Sequence, residues 1–105
     1  MSLHPERDKQ GFLVNLSDWN DEIANQIALE ENIQLTKAHW EVIYILRDFY
    51  QKYALSPAMR ILVKIVKQQL GDEKGNSIYL LSLFPGSPAK IASKIAGLPK
   101  PTNCL

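Results

Sequence analysis

Residues 36–53, with the sequence TKAHWEVIYILRDFYQKY, decide the fold of this 105-residue chain. The stretch opens on a threonine, a favourable helix cap, and its apolar residues then recur at steps of three and four. Those apolar residues are Trp40, Ile43, Tyr44, Leu46, Phe49, Tyr50 and Tyr53. The spacing predicts an amphipathic helix that ends near residue 53. Its aromatic face is expected to form the centre of the core rather than a platform for nucleobases.

The chain before this helix predicts one more helix and one strand. Ser17 is followed by a tryptophan and three acidic residues, which favour a helix start, so a helix is expected over about residues 18–30. Its buried stripe would hold Trp19, Ile23 and Ile27. The apolar run at residues 11–16 predicts a strand that pairs with the preceding segment in a small hairpin. Residues 1–10 are polar and expected to be loosely ordered.

A break at residues 54–56 separates the long helix from the next one. Ser56 is predicted to cap a third helix, over about residues 57–70, with Pro57 at its first position and Gly71 as its end. The residues expected to face the core in this helix are Ile61, Leu62, Ile65, Val66 and Leu70. Its exposed side would carry a basic stripe, which consists of Arg60, Lys64 and Lys67.

Two short helices are predicted in the last third of the chain. The leucine-rich residues 77–84 favour one of them. A second Ser-Pro pair opens the other, which is expected to run from Pro88 to about Ala96 and to end at Gly97. The predicted fold is therefore mainly α, a single domain with about five helices, a small N-terminal β-hairpin and a globular core over residues 11–97.

Composition and charge exclude several classes of function. With 46% hydrophobic residues, 22% charged residues and a net charge of +1, the chain has the balance of a soluble globular domain. It has no membrane-length apolar run and no signal peptide, so a cytoplasmic location without a membrane partner is expected. Phosphate-loop, metalloprotease and serine-hydrolase motifs are absent, and neither a metal nor a cofactor is predicted. His39 is interpreted as a surface or capping residue.

Residues 97–105, GLPKPTNCL, hold the only cysteine of the chain. Two prolines within three residues forbid a helix and favour an extended backbone, so residues 98–105 are expected to form a mobile arm. At about 3.1–3.5 Å per residue, the thiol of Cys104 would reach roughly 20–25 Å from the last helix. A thiolate can take the terminal sulfur of a persulfide and yield it to another thiolate. Cys104 is therefore the candidate catalytic residue, although a spare thiol on a disordered terminus is the other interpretation.

Nothing in the arm strongly activates this thiol. From a reference pKa of about 8.5, only a few per cent of a free cysteine is thiolate at pH 7. Lys100 would help slightly, and Arg60 and Lys64 would help if the arm folds back onto the basic stripe. These three residues are therefore candidates for contact with the thiolate or with a partner protein.

Beyond these patterns, segments along residues 11–105 resemble the DsrC/TusE sulfur-carrier family. The matching segments are GFLV at 11–14, WN at 19–20, LT at 35–36, HWEVI at 39–43, LRD at 46–48, PA at 57–58 with Arg60, KGNS at 74–77, LFPG at 83–86, PAK at 88–90 and KIAGLPKPT at 94–102 with Cys104. The resemblance implies an orthogonal, in part helix-turn-helix-like bundle with a small hairpin and a flexible C-terminal arm whose cysteine carries sulfur. Members of the dissimilatory sulfite reductase type carry a second cysteine eleven residues before the first. Here that position is Ser93, which excludes an intramolecular disulfide or trisulfide.

The chain is thus similar to the single-cysteine, TusE-like branch of this family. That similarity implies that Cys104 accepts persulfide sulfur from a TusBCD-type donor complex and passes it to an MnmA-type tRNA 2-thiouridylase for wobble-uridine 2-thiolation. It also implies a cytoplasmic sulfur-relay carrier without stand-alone turnover. The carrier is expected to be a monomer when free, and an indirect contact with tRNA is among the contacts that the resemblance allows.

Two alternatives from other classes stay open on the sequence. The break before the basic stripe fits a helix-turn-helix regulator that binds nucleic acid, although a net charge of +1 is small for a phosphate-binding surface. The arm could also serve as the docking peptide of a sulfur-metabolism subunit that transfers no sulfur.

Overall fold

The computed structural model describes residues 4–102 of the chain. Within this range the chain forms a short 3-10 turn followed by five α-helices, which confirms the predicted mainly α fold. The 3-10 turn is Leu16–Asp18, and the helices are α1 (Asp21–Glu30), α2 (Lys37–Tyr53), α3 (Met59–Leu70), α4 (Ser77–Leu83) and α5 (Pro88–Ile95). None of the described helices combines the length and the apolar character needed to cross a lipid bilayer.

Helix α5 lies at the centre of the fold and contacts each of the other four α-helices. It starts as predicted, with a proline at its first position. Its buried side chains are mostly small, and they are Pro88, Ala89, Ala92, Ser93 and Ile95. Small side chains allow neighbouring helices to approach closely. The eight-residue helix α5 can therefore pack against four other helices. The longer α2 packs mainly on α3 and α5.

Helix α2 begins after Thr36 as predicted, but its buried face differs from the expected aromatic one. The buried residues follow one helical stripe and are His39, Val42, Ile43, Ile45 and Leu46. Tyr44 and Tyr53 are 54% and 60% exposed, so the prediction that they belong to the core is wrong. Helix α2 packs on α3 and α5, and the aliphatic residues Val42 and Ile45 are buried instead of the two tyrosines.

Two predicted helix starts are displaced. Helix α1 begins at Asp21, where the side chain of Asn20 caps it by accepting from the N–H of Ile23 at 2.9 Å. Ser17, the predicted cap of this helix, bonds Asn15 instead. The side-chain oxygen of Asn15 accepts from the N–H and the hydroxyl of Ser17 at 3.2 and 2.8 Å. This local bonding makes a 3-10 turn instead of the first turn of α1.

Helix α3 begins at Met59, two residues later than predicted, and ends at Gly71 as predicted. Its N-cap is Ala58, which makes no side-chain cap, because the hydroxyl of Ser56 is engaged elsewhere. Leu62 and Val66 are buried, whereas Ile61 is 45% exposed and does not belong to the core.

The predicted strand at residues 11–16 is not formed. The described chain has an isolated antiparallel bridge between Arg7 and Leu13, closed by a turn in which the Asp8 side chain accepts from the N–H groups of Gln10 and Phe12 at 2.8 and 3.0 Å. Phe12 and Leu13 are both buried. Successive residues of a strand point to opposite faces, so burial of two neighbours favours this turn over a regular strand.

Candidate functional site

Cys104, the candidate sulfur-accepting residue, lies outside the described residues, as do Asn103 and Leu105. The part of the site that the structure shows is the segment leading to Cys104, together with the side chains that hold this segment. This segment begins at the C-terminus of α5 and extends to Thr102.

Helix α5 ends in a Schellman motif where the arm begins. Gly97 has a φ of +75°, a left-handed conformation that glycine adopts most readily. The N–H of Leu98 donates to the carbonyl of Ser93 at 2.9 Å, and the N–H of Gly97 donates to the carbonyl of Lys94 at 3.1 Å. Leu98 is buried, which completes the motif. The chain therefore changes direction at Gly97.

Two side chains from other parts of the fold bond the remaining carbonyls at this helix end. The indole Nε1 of Trp19 donates to the carbonyl of Ile95 at 2.8 Å, and Nη1 of Arg47 donates to the carbonyl of Ala96 at 2.7 Å. Together with the Schellman bonds, these contacts satisfy all four carbonyls that a helix C-terminus leaves without an intrahelical partner. By its spacing in the sequence, Trp19 fits a helical stripe, and Arg47 carries no local signal of a role. The two bonds join residues 76 and 49 positions apart, so no local spacing indicates them.

The described residues of the arm lie against the body of the protein. The hydroxyl of Ser56 donates to the carbonyl of Pro99 at 2.5 Å, and Pro101 is buried. Pro101 is therefore held against the body of the protein, three residues before Cys104. The three residues from Pro101 to Cys104 span at most about 10 Å, about half of the reach expected from Gly97.

The three candidate basic residues are exposed in the structure, and none forms an ion pair within residues 4–102. Arg60 lies in the first turn of α3 and Lys64 in the next turn. The bond from Ser56 to Pro99 places the backbone next to Lys100 at this same end of α3. The third member of the basic stripe, Lys67, has its ammonium group 3.9 Å from a carboxylate oxygen of Asp72.

Ser93 is fully buried within α5. Its hydroxyl oxygen makes no hydrogen bond in the structure of residues 4–102. The side chain at this position therefore faces the interior of the helical bundle.

His39 joins two helices and is buried, so the prediction of a surface position is wrong while that of a capping role is confirmed. Its Nδ1 accepts from the N–H of Thr36 at 3.0 Å, and its Nε2 lies 2.8 Å from the carbonyl of Leu83, to which it donates. Both ring nitrogens are thus engaged in structural bonds. Within residues 4–102, no group of three or more side chains is arranged to hold a metal ion.

Comparisons with known proteins match almost the whole chain. A family model described as "DsrC like protein" covers residues 2–105. A Haemophilus influenzae protein named "Sulfurtransferase TusE homolog" is 58% identical over 103 residues, which are 98% of this chain and 94% of that protein. "Sulfurtransferase TusE" of Photorhabdus laumondii is 56% identical over 100 residues, 95% of this chain and 90% of that protein.

Solved structures agree with these sequence matches. The NMR structure of Allochromatium vinosum DsrC has a TM-score of 0.86 and 50% identity, over 94% of this chain and 88% of that one. The crystal structure of the oxidized gamma-subunit of the dissimilatory sulfite reductase from Archaeoglobus fulgidus has a TM-score of 0.83 and 40% identity, over 96% and 92% of the two chains. Sequence and fold lead to one conclusion: the chain belongs to the DsrC-like protein family.

Proposed function

We propose that this protein is a sulfur-relay carrier that accepts a persulfide sulfur on Cys104 and passes it to a tRNA 2-thiouridylase of the MnmA type. The observation that carries the proposal is the near full-length similarity to proteins named sulfurtransferase TusE. A TusBCD-type complex is the proposed donor, and 2-thiolation of the wobble uridine in tRNA is the proposed outcome. The carrier works in the cytoplasm, and its partner catalyses the final step on tRNA.

The loading step needs one reactive thiolate on this chain. The Cys104 thiolate attacks the terminal sulfur of a persulfide on the donor, and a new S–S bond forms. The S–S bond of the donor breaks, and the donor keeps the electron pair as a thiolate. Unloading repeats this exchange with a thiolate of the acceptor, and Cys104 is the leaving thiolate. Sulfane sulfur moves between thiolates, so neither step consumes an oxidant or a reductant.

The residue at position 93 supports transfer to another protein. The resemblance to the sulfite reductase type implies a second cysteine at this position, where this chain has a buried serine instead. A hydroxyl cannot accept or resolve sulfane sulfur. A sulfur atom loaded on Cys104 therefore has no second thiol within the same chain to receive it.

Intact mass spectrometry tests the loading step. The protein is incubated with a cysteine desulfurase, cysteine and the upstream relay proteins. We expect the mass of one sulfur atom to be gained, to be lost on treatment with a reducing thiol, and to be absent in Cys104→Ser. The matched variant Ser93→Ala should load like the wild type. If the wild-type chain gains no sulfur with any donor, the carrier function is wrong.

A second assay tests the acceptor. Loaded protein is mixed with the thiouridylase, ATP and unmodified tRNA, and 2-thiouridine is measured after digestion of the tRNA to nucleosides. We expect 2-thiouridine to form with the loaded wild type and not with unloaded protein. Efficient loading without any 2-thiouridine would overturn the tRNA step while leaving the carrier role in place.

A further inference from the structure

The end of α5 is held by a stack of side chains from two other elements. The guanidinium carbon of Arg47 lies 3.8 Å from the ring centroid of Trp19, which is a close cation–π contact. The Trp19 ring also makes a T-shaped contact with the Trp40 ring, with the two centroids 6.5 Å apart. Arg47 extends from the middle of α2, whereas Trp19 precedes α1. The stack therefore connects two helices to the point where the arm begins.

Arg47 is a half-buried cation without a carboxylate partner in the described part of the chain. Burial lowers the pKa of its guanidinium, which still stays charged at neutral pH. The carbonyl of Ala96 and the face of Trp19 take the place of a counter-ion. A cation is favourable at this position because the C-terminus of a helix carries partial negative charge. The charge of Arg47 is thus directed at the helix end that precedes the arm.

The Trp19 ring also fills the space beside Gly97. A Cβ atom at position 97 would lie 2.3 Å from Cδ1 and 2.7 Å from Cγ of this ring, well inside contact distance. Gly97 is in addition the residue whose positive φ turns the chain out of α5. The hydrogen bonds of Trp19 and Arg47 and this close packing therefore all act on the residues that set the direction of the arm.

Changes of direction at Gly97 are transmitted along the arm. Pro99 and Pro101 each have a fixed φ, so the segment between them bends less than an ordinary loop. The contact of Ser56 with Pro99 and the burial of Pro101 are reached only if the chain leaves α5 along the observed path. Cys104 follows three residues later.

We propose that Trp19 and Arg47 are positioning residues that fix the direction in which the segment carrying Cys104 leaves α5, and thereby set how efficiently the thiol reaches a partner's thiolate. The consequence for delivery rests on the proposed carrier function. The consequence for the path of the arm does not, and it can be measured on the free protein.

The test uses two mild variants with matched controls. Trp19→Phe keeps a ring but removes the N–H donor, and Tyr79→Phe is its control because Tyr79 lies in α4, outside the stack. Arg47→Met removes the charge and the bond to Ala96, and Arg7→Met is its control because Arg7 pairs instead with Glu30. Arg47→Lys is the rescue variant, since an ammonium group can still donate to a carbonyl.

The path of the arm is followed with a nitroxide on Cys104, the only cysteine, by its broadening of backbone amide signals in NMR spectra. We expect the set of broadened amides to change in Trp19→Phe and Arg47→Met, to stay as in the wild type in both controls, and to be largely restored in Arg47→Lys. An unchanged pattern in both test variants would overturn the proposal, whether or not the protein carries sulfur.

Delivery is followed by the rate of sulfur transfer to the acceptor, divided by the rate of Cys104 alkylation by a small reagent. Loss of a hydrogen bond to a helix end is expected to lower this ratio about fivefold in Trp19→Phe, and loss of the charged donor about tenfold in Arg47→Met. A ratio equal to that of the wild type in both would show that the stack stabilises the fold only. If the wild type transfers no sulfur at all, the carrier function fails, and the NMR pattern still decides the positioning role.

Discussion

Ser93 is a fully buried side chain whose hydroxyl has no hydrogen-bond partner in the described chain. Such a group loses its bonds to water on folding and gains none in return. Ser56 is the opposite case, because its buried hydroxyl donates to the carbonyl of Pro99. The two serines therefore form a natural pair for measuring what each hydroxyl contributes.

Replacing Ser93 by alanine should leave the protein as stable or make it more stable. We expect Ser93→Ala to raise the free energy of unfolding by about 1 kcal/mol, because the unpartnered hydroxyl is removed and alanine favours a helix. Urea denaturation monitored by circular dichroism measures this value. Ser56→Ala is the control and should lower it by about 1 kcal/mol. A clear loss of stability in Ser93→Ala would show that its hydroxyl has a bonding partner.

Arg60 is an exposed cation at the end of α3 that the arm approaches. A nearby positive charge favours the thiolate, so Arg60→Ala should slow alkylation of Cys104 by iodoacetamide in the free protein. Solvent screening limits the expected effect to about twofold at moderate ionic strength. Lys67→Ala, two turns further along α3 and close to Asp72, is the control that should not change the rate. Equal rates for Arg60→Ala and the wild type would remove Arg60 from the site.

At the scale of the elements, the ends of the helices form hydrogen bonds both with neighbouring residues and with residues distant in the sequence. The start of α2 is held by His39, which bonds Thr36 within the same turn and Leu83 at the end of α4. The ring of His39 also meets the ring of Phe84 edge to face at 5.2 Å. One side chain therefore caps one helix and ties it to the end of another.

Removal of this ring should destabilise the whole fold. His39→Ala leaves the Thr36 N–H and the Leu83 carbonyl without their partner and removes the contact with Phe84. We therefore expect the free energy of unfolding to fall by about 2–3 kcal/mol. His39→Gln, which keeps one donor and one acceptor, should lose less. Gln51→Ala, on the exposed face of α2, should change stability by less than about 0.5 kcal/mol. The stability of each variant is measured by thermal and urea unfolding. If His39→Ala were as stable as Gln51→Ala, His39 would not link α2 to α4.

At the scale of the molecule, α5 joins the other helices through packing, and a few ion pairs link segments distant in sequence. Lys74, in the turn before α4, bonds a carboxylate oxygen of Glu41 in α2 at 2.9 Å. The hydrogen bond and the charge of Glu41 raise the pKa of Lys74 above its ordinary value of 10.5. The folded state therefore holds the Lys74 proton more tightly than the unfolded state does.

This linkage predicts a pH-dependent difference between the wild type and Lys74→Met. Because the Lys74 pKa is raised in the folded state, the stability from the pair is fully present below pH 10.5 and is lost as pH rises through the higher folded-state value. We expect Lys74→Met to have a lower Tm at pH 7–9, and the difference to shrink above about pH 10.5. A double-mutant cycle with Glu41→Gln isolates the pair. A coupling that does not weaken as the pH rises above 10.5 would contradict the assignment.

The local patterns predicted the helices well, and their failures have a common cause. Helix periodicity and end signals act over three or four residues, so Thr36, Pro88 and the glycines that end α3 and α5 were found from the sequence. The start of α3 was misplaced because Ser56 bonds a carbonyl 43 residues away instead of capping. Tyr44 and Tyr53 fit a helical stripe as well as Val42 and Ile45 do, and only the position of the neighbouring helices separates them.

The sequence by itself determined the helical content, the glycine that turns the chain out of α5, the single cysteine that follows two prolines, and the family. The tertiary structure decided that Trp19 and Arg47 bond the last carbonyls of α5 and that Ser56 bonds the carbonyl of Pro99 in the arm. The physical reason is the range of the interactions. Dihedral preferences and caps depend on near neighbours in the chain, whereas a donor finds a distant carbonyl only after packing has brought the two together.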